Sequence, residues 1–260
     1  FVAEIIKSWM DGGELFSDSA VIYRSNAQSR AIEEALLRAN IPYRIYGGLR
    51  FYDRLEIKNA ISYLRIIFNP HDNPAFERSV ANPTRGVGAK TLAKIRSLAN
   101  KHNISYIQAS SKMIDENLIS GRGANGLKKF LEMILGLCGK IDDISLSEIV
   151  GSILEQSGLI QFHEKEPGEK GKTRKENLEE LLSAAKNFEM SFSDDKTNRE
   201  ITEQFLSNVS LDAGDRQADE FDDAVQLMTL HSAKGLEFPL VFMTGLEETL
   251  FPHGRSMESP

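Results

Sequence analysis

The chain has 260 residues, 41% of them hydrophobic, and a formal net charge of −7. That size and composition support one or two packed domains and exclude a fibrous or wholly disordered chain. A single cysteine, Cys138, excludes an intramolecular disulfide and a multi-cysteine metal site and fits a reducing, cytoplasmic compartment, and charged residues interrupt every apolar run, leaving none of the eighteen residues needed to span a membrane.

The start, Phe1-Val2-Ala3-Glu4, has no initiator methionine and no basic-then-apolar leader, and predicts a piece of a longer protein. Phe1–Met10 carries a helical stripe that Asp11-Gly12-Gly13 breaks. Ala20-Val-Ile-Tyr-Arg24 is a short apolar run that reads as a buried strand. A helix follows, opened by Ser25 with Gln28 three residues on, a capping-box spacing, and lined by Ile32, Leu36 and Ala39. Asn40 suits the left-handed residue that ends a helix, Pro42 cannot continue one, and Pro42–Tyr46 reads as a second strand stopped by Gly47-Gly48.

Residues 54–211 read as almost wholly helical, with stripes at 54–68, 90–100, 127–137, 146–154, 176–190 and 200–211 and a helix near 74–81. Residues 191–199 and 212–223 read as solvated connections. Residues 225–230 and 240–244 are strand candidates around a polar turn at 231–235. The fold class is therefore α/β plus all-α. A parallel-sheet unit interrupted by a large helical insertion is the economical reading, because forty-odd residues at either end are too few to bury a core alone.

The charge is unevenly placed. Residues 189–223 hold eleven acids and three bases, while residues 78–101 hold six bases (Arg78, Arg85, Lys90, Lys94, Arg96, Lys101) and no acid. Screening confines charge effects to about 8–10 Å, so such a patch can hold phosphates on an acidic protein; it can equally be a solvated helix face.

Several strings carry possible chemistry. Glu166-Pro-Gly-Glu-Lys-Gly-Lys-Thr173 ends like a phosphate loop, but it lacks the first glycine and the preceding buried strand, and reads as a solvated loop. Pro83-Thr84-Arg85-Gly86-Val87-Gly88-Ala89-Lys90 joins two helices. Its glycines allow a tight turn, and the free N–H groups at the next helix start attract an anion. That is the helix-hairpin-helix arrangement for gripping a DNA phosphate, against the alternative of a plain helix–helix turn. Gly121–Lys129 is a weaker echo, a turn or a second clamp. At Thr229-Leu-His231-Ser-Ala-Lys234-Gly-Leu-Glu237 a strand end presents polar residues above a small-residue turn, where α/β sheets place ligands. At Arg24-Ser25-Asn26 a strand end meets a helix start, suited to a backbone phosphate or to simple capping.

Taken together, Tyr23–Arg30, Tyr46–Lys58, Pro83–Gly88 and Thr229–Pro239 resemble superfamily 1 DNA helicases of the UvrD/PcrA/Rep group over the whole chain. The resemblance implies a partial RecA-like subdomain 2A at 1–47 and 222–260, interrupted by a helical subdomain 2B at 48–221 with helix-hairpin-helix-like turns. It implies an ATP-dependent 3′→5′ DNA helicase serving nucleotide-excision and mismatch repair, using ATP and Mg²⁺ in the full-length protein. By resemblance, Arg24 and Asn26, with Thr229 and His231, face single-stranded DNA. Glu237 accepts a hydrogen bond from the ATP ribose, and Lys234 approaches the nucleotide. Thr84, Arg85, Gly86, Val87, Gly88 and Lys90 hold duplex DNA, Val87 standing where the family has isoleucine. The ATP-binding subdomain 1A, its insertion 1B and the 2A arginine motif are absent, so the chain alone is expected to bind no cofactor, hydrolyse no ATP and leave a sheet edge bare. Partners are single-stranded and duplex DNA, the missing subdomains and repair proteins, with no membrane. The swivel of 2B implies hinges near Gly47-Gly48 and in 212–223. Two other readings are a duplex-binding module without a motor and part of a helicase–nuclease subunit.

Overall fold

A computed structural model describes residues 1–192, 195–214 and 222–246. The chain forms two compact units: Phe1–Arg54 with Asp212–Pro260, and Leu55–Leu211. The first unit reaches Arg54, beyond the Gly47-Gly48 break.

The first unit is built on a four-stranded sheet of order β2-β3-β1-β4, with every pair parallel. Its strands are β1 (Ser19–Tyr23), β2 (Tyr43–Ile45), β3 (Val225–Thr229) and β4 (Leu240–Met243). Strand β1 is buried along nearly its whole length, as a parallel strand covered on both faces must be. Its apolar run was the sequence signal. Helix α1 (Val2–Asp11) contributes Ile6 to the core, and α2 (Ser29–Arg38) contributes Leu36. They pack with Val21, Tyr23, Tyr43, Ile45, Val225 and Leu227. Burying each such aliphatic side chain stabilises by about 1.5–3 kcal/mol. Asn40 takes the left-handed conformation (φ 52°) that releases the chain from α2 into β2.

Strand β3 closes the sheet across the insertion. The Val225 N–H donates to the Pro42 carbonyl and the Tyr46 N–H to the Leu227 carbonyl. Connections from β1 and β3 therefore leave in opposite directions along the sheet, which makes the gap above their carboxyl ends a topological switch point. Strand β4 pairs only with β1 among the described residues, and Val241 and Met243 on it are exposed.

The second unit contains α3 (Leu55–Phe68), α4 (Asn73–Ala81), α5 (Ala89–His102), α6 (Tyr106–Asp115), α7 (Gly121–Cys138), α8 (Leu146–Gln156), α9 (Leu159–Glu164) and α10 (Glu169–Glu189). Helix α11 (Asn198–Gly214) begins in it. Side-chain caps fix several starts: Asp72 accepts from the Ala75 N–H at 3.0 Å, and Ser105 and Ser145 accept from the N–H three residues on. Helix α3 is buried along most of its length and packs on α4, α7, α8 and α10. Phe76 and Phe130 meet edge to face at 5.5 Å at its side.

Four expectations are corrected here. Within the expected helical block, α6 and α9 fall outside the named stripes; α9 is only six residues long, too short for a periodic stripe. Of the expected loop Glu166–Thr173, only 166–168 lies outside a helix: α10 starts at Glu169, and Gly171 is buried where a Cβ would lie 2.5 Å from the carbonyl oxygens of His163 and Glu166. Gly123 and Gly126 do not form a turn either, since α7 begins at Gly121. The expected connection at 191–199 already enters α11 at Asn198, and most of the one at 212–223 lies outside the described residues. No helix among the described residues is long and apolar enough to cross a membrane.

Candidate nucleic-acid interface

In the first unit, the sheet register sets Tyr23 opposite Thr229, and the Leu230 N–H donates to the Tyr23 carbonyl at 3.0 Å. The segments after β1 and after β3 thus start side by side. Arg24, Asn26 and His231 lie in those segments and Thr229 at the end of β3, all at the switch point. Arg24 and Asn26 are half-buried, and the Arg24 guanidinium makes no hydrogen bond or ion pair among the described residues. His231, Lys234 and Glu237 are exposed.

Each loop is held from within. Gln28 reaches back, its side-chain oxygen accepting from the Arg24 N–H at 2.9 Å and the Ser25 N–H at 3.1 Å. The expected capping pair is therefore real, but it closes a 3-10 turn (Asn26–Gln28) ahead of α2. Across the second loop, the Thr229 and Ser232 hydroxyls are 3.0 Å apart, and the Ser232 N–H donates to Thr229 Oγ1. The Ala233 N–H donates to the Thr229 carbonyl. Thr229 therefore shapes the turn that carries His231 and Lys234.

Two supporting groups were not found in the sequence. Gly245, just past β4, has φ +71°, and a Cβ there would run into the Gln28 amide. The signal was a lone glycine after a strand, too common to read. Glu33, an acid on α2, is buried. Its carboxylate lies 2.6 Å from the Ser29 hydroxyl and accepts from the Phe51 N–H at 3.1 Å. Burial pushes its pKa above the usual carboxylate range, and the Ser29 hydrogen bond and the Arg54 charge only partly oppose this.

In the second unit, α4 and α5 flank the Pro83–Gly88 turn. Thr84, Gly86, Gly88 and Lys90 are exposed, and Val87 is buried at 8% exposure, anchoring the turn. Gly86 has φ +76°. Gly88 starts α5, its carbonyl accepting from the Leu92 N–H. The first N–H groups of α5, like those of any helix, have no acceptor inside the helix.

Arg85 departs from the expectation. Its guanidinium turns inward, donating to the carbonyls of Ser79 (3.1 Å), Pro83 (2.8 Å) and Ser157 (2.7 Å) and to the Tyr63 hydroxyl (2.6 Å). It also lies over the rings of Tyr63 and Phe130. Burial pushes the Tyr63 phenol up to about 12, keeping it neutral. With these donors spent on the interior, Arg85 is not a phosphate ligand in this conformation. Two more bases of the run are engaged: Arg96 holds Glu77 through two hydrogen bonds, and Arg78 reaches Asn59. Lys90, Lys94 and Lys101 are exposed on α5 and form no ion pair among the described residues. The basic face is three lysines, not six bases.

The echo at 121–129 has a different use. A Cβ on Gly123 would lie 2.8 Å from the Gly86 carbonyl oxygen, and one on Gly126 would overlap the Arg85 carbonyl. These glycines let the start of α7 press against the Arg85-Gly86 backbone, and so brace the turn. Among the described residues no cluster of three or more histidine, cysteine or acidic side chains is placed to hold a metal.

Comparison with known proteins shows the family. The family described as UvrD-like helicase C-terminal domain matches residues 1–259. DNA helicase II of Escherichia coli is 48% identical over 99% of this chain, and that of Haemophilus influenzae 47% over 100%. The ATP-dependent DNA helicase PcrA of Bacillus subtilis is 44% identical over 95%. The chain spans about a third of each relative's length: 36%, 36% and 33%. With the match running from end to end and through both units, the chain belongs to the UvrD-like helicases and corresponds to their C-terminal domain.

Proposed function

We propose that this chain is the DNA-tracking part of an ATP-dependent 3′→5′ DNA helicase acting in repair of bacterial DNA in the cytoplasm. The first unit then serves as subdomain 2A and the second as the inserted subdomain 2B with its helix-hairpin-helix-like turn. One observation carries the reading: Arg24-Asn26 and Thr229-His231 emerge next to each other at the switch point of one parallel sheet. That is where an α/β sheet receives a ligand.

In this reading, Arg24 and Asn26 bind backbone phosphate, and Thr229 and His231 line the same strand of DNA. Glu237 takes the ATP ribose, with Lys234 beside the nucleotide. Thr84, Gly86, Val87, Gly88 and Lys90 form the duplex clamp, with Lys94 and Lys101 extending its charge and Arg85 serving as its internal brace. ATP and Mg²⁺ bind with residues outside this chain. The chain offers no glycine-rich loop that could cradle the γ-phosphate, so alone it hydrolyses no ATP.

Fluorescence anisotropy tests this. The chain is titrated with a labelled hairpin duplex and a single strand of equal charge at two salt concentrations. Both bind, and affinity falls steeply with salt, by about 0.9 in the log–log slope for each duplex phosphate neutralised. Binding to neither DNA overturns the reading, and ATP hydrolysis by the purified chain overturns its assignment as an incomplete motor.

A further inference from the structure

Arg54 is the last residue of the first unit, and the next residue, Leu55, opens α3 of the second. Its side chain is buried, only 7% exposed. A buried guanidinium is tolerated only where its donors are used. Here Nη1 donates to the Asn26 carbonyl at 2.8 Å, Nη2 to the Ser29 hydroxyl at 2.6 Å, and Nε to the Leu49 carbonyl at 3.3 Å. The Ser29 hydroxyl also lies 2.9 Å from the same Asn26 carbonyl oxygen and 2.6 Å from Glu33. Glu33 completes the set as an ion pair with Arg54 at 3.8 Å.

The Ser29 N–H donates to the same carbonyl as it closes the 3-10 turn, so both lone pairs of the Asn26 carbonyl are turned into the unit, one toward that N–H and one toward Arg54. That fixes the peptide between Asn26 and Ala27 and the direction in which the Arg24–Asn26 loop faces. We infer that Arg54 is a positioning residue for single-strand binding. It clamps the Asn26 carbonyl from behind, with Ser29 and Glu33 aligning its guanidinium. It touches no DNA itself. The inference rests on the single-strand reading of Arg24 and Asn26 given above.

A double-mutant cycle on the whole chain tests it, using labelled oligothymidylate as the probe. Arg54→Met weakens binding about tenfold, because the loop loses its orientation. In an Arg24→Ala, Asn26→Ala background the same substitution costs less than about twofold, since the loop no longer contributes. Arg54→Lys keeps one charged donor for the carbonyl and retains affinity within about threefold of wild type. Equal losses in both backgrounds, a folded Arg54→Met chain within twofold of wild type, or a lysine variant no better than methionine each overturn the proposal. Where circular dichroism shows Arg54→Met unfolded, Ser29→Ala replaces it under the same criteria, with an expected loss of about threefold. An Arg24→Ala, Asn26→Ala chain that binds like wild type, or a wild-type chain that does not bind, overturns the single-strand reading itself and the proposal with it.

Discussion

The loop after β1 and the turn between α4 and α5 look alike in sequence: each sets an arginine among small polar residues at a helix start. In three dimensions they divide the work differently. In the first, Arg24 has no partner among the described residues and Arg54, from a distant position, ties down the backbone. In the second, Arg85 ties down its own turn and the lysines of α5 are left on the surface. An arginine near a ligand loop is thus either the hand or the wrist. Only its count of interior acceptors tells which.

The contrast is open to direct attack, beginning with the strongest effect. Arg85→Met removes the donor that holds the Pro83 and Ser157 carbonyls, while the Tyr63 hydroxyl still reaches the Ser79 carbonyl, and it is expected to destabilise the chain by about 3 kcal/mol in urea unfolding. Arg24→Ala should move the same transition by less than about 0.5 kcal/mol. Equal effects would erase the distinction. Gly126→Ala drives a methyl group into the Arg85 carbonyl, and a loss of about 2 kcal/mol is expected as α7 shifts away. The same variant should bind hairpin duplex more weakly, because the braced turn moves.

Lys90→Ala sharpens the surface side of the comparison. It leaves unfolding unchanged and reduces the salt slope of duplex binding by about 0.9, the signature of one lost phosphate contact. The smallest effect is one of pH. His163 is buried in the second unit with Nδ1 3.3 Å from Glu166, and burial lowers its pKa below the ordinary histidine value despite that carboxylate. Its folded form is therefore the neutral one. As pH falls below about 6.5, the unfolded chain takes up the proton first. Stability then declines until the lower folded pKa is reached, and levels off beneath it. Urea midpoints between neutral and mildly acidic pH should show this decline in wild type and lose part of it in His163→Gln.

Much of the scaffold was legible because its signals are local. The apolar run at Ala20–Tyr23 gave β1, Asn40 and Pro42 gave the end of α2, and 3–4 spacing gave the long helices. The residues at the two strand ends were legible as polar groups at a structural boundary. What stayed hidden depends on partners far along the chain. Arg85 looked like a surface base because nothing nearby announces the Ser157 carbonyl that consumes it. Gly123 and Gly126 looked like a turn because a glycine required by close approach of another backbone has the same letter as one required by its own torsion angles. Nothing near Glu33 in the sequence marks it as buried, because Phe51 and Arg54, which contact it, come after a whole strand.

The placement of β3 between β1 and β2 also dictates an order of assembly. Synthesis delivers β1 and β2 first and leaves the slot between them empty until Val225–Thr229 emerges, after the entire second unit. During that interval the edge of β1 that β3 will cover is bare, a template for the wrong neighbour. The helices of the second unit find their partners within their own stretch of chain and have all of them before β3 leaves the ribosome. The second unit is therefore built to mature before the sheet that presents both strand-end loops is filled.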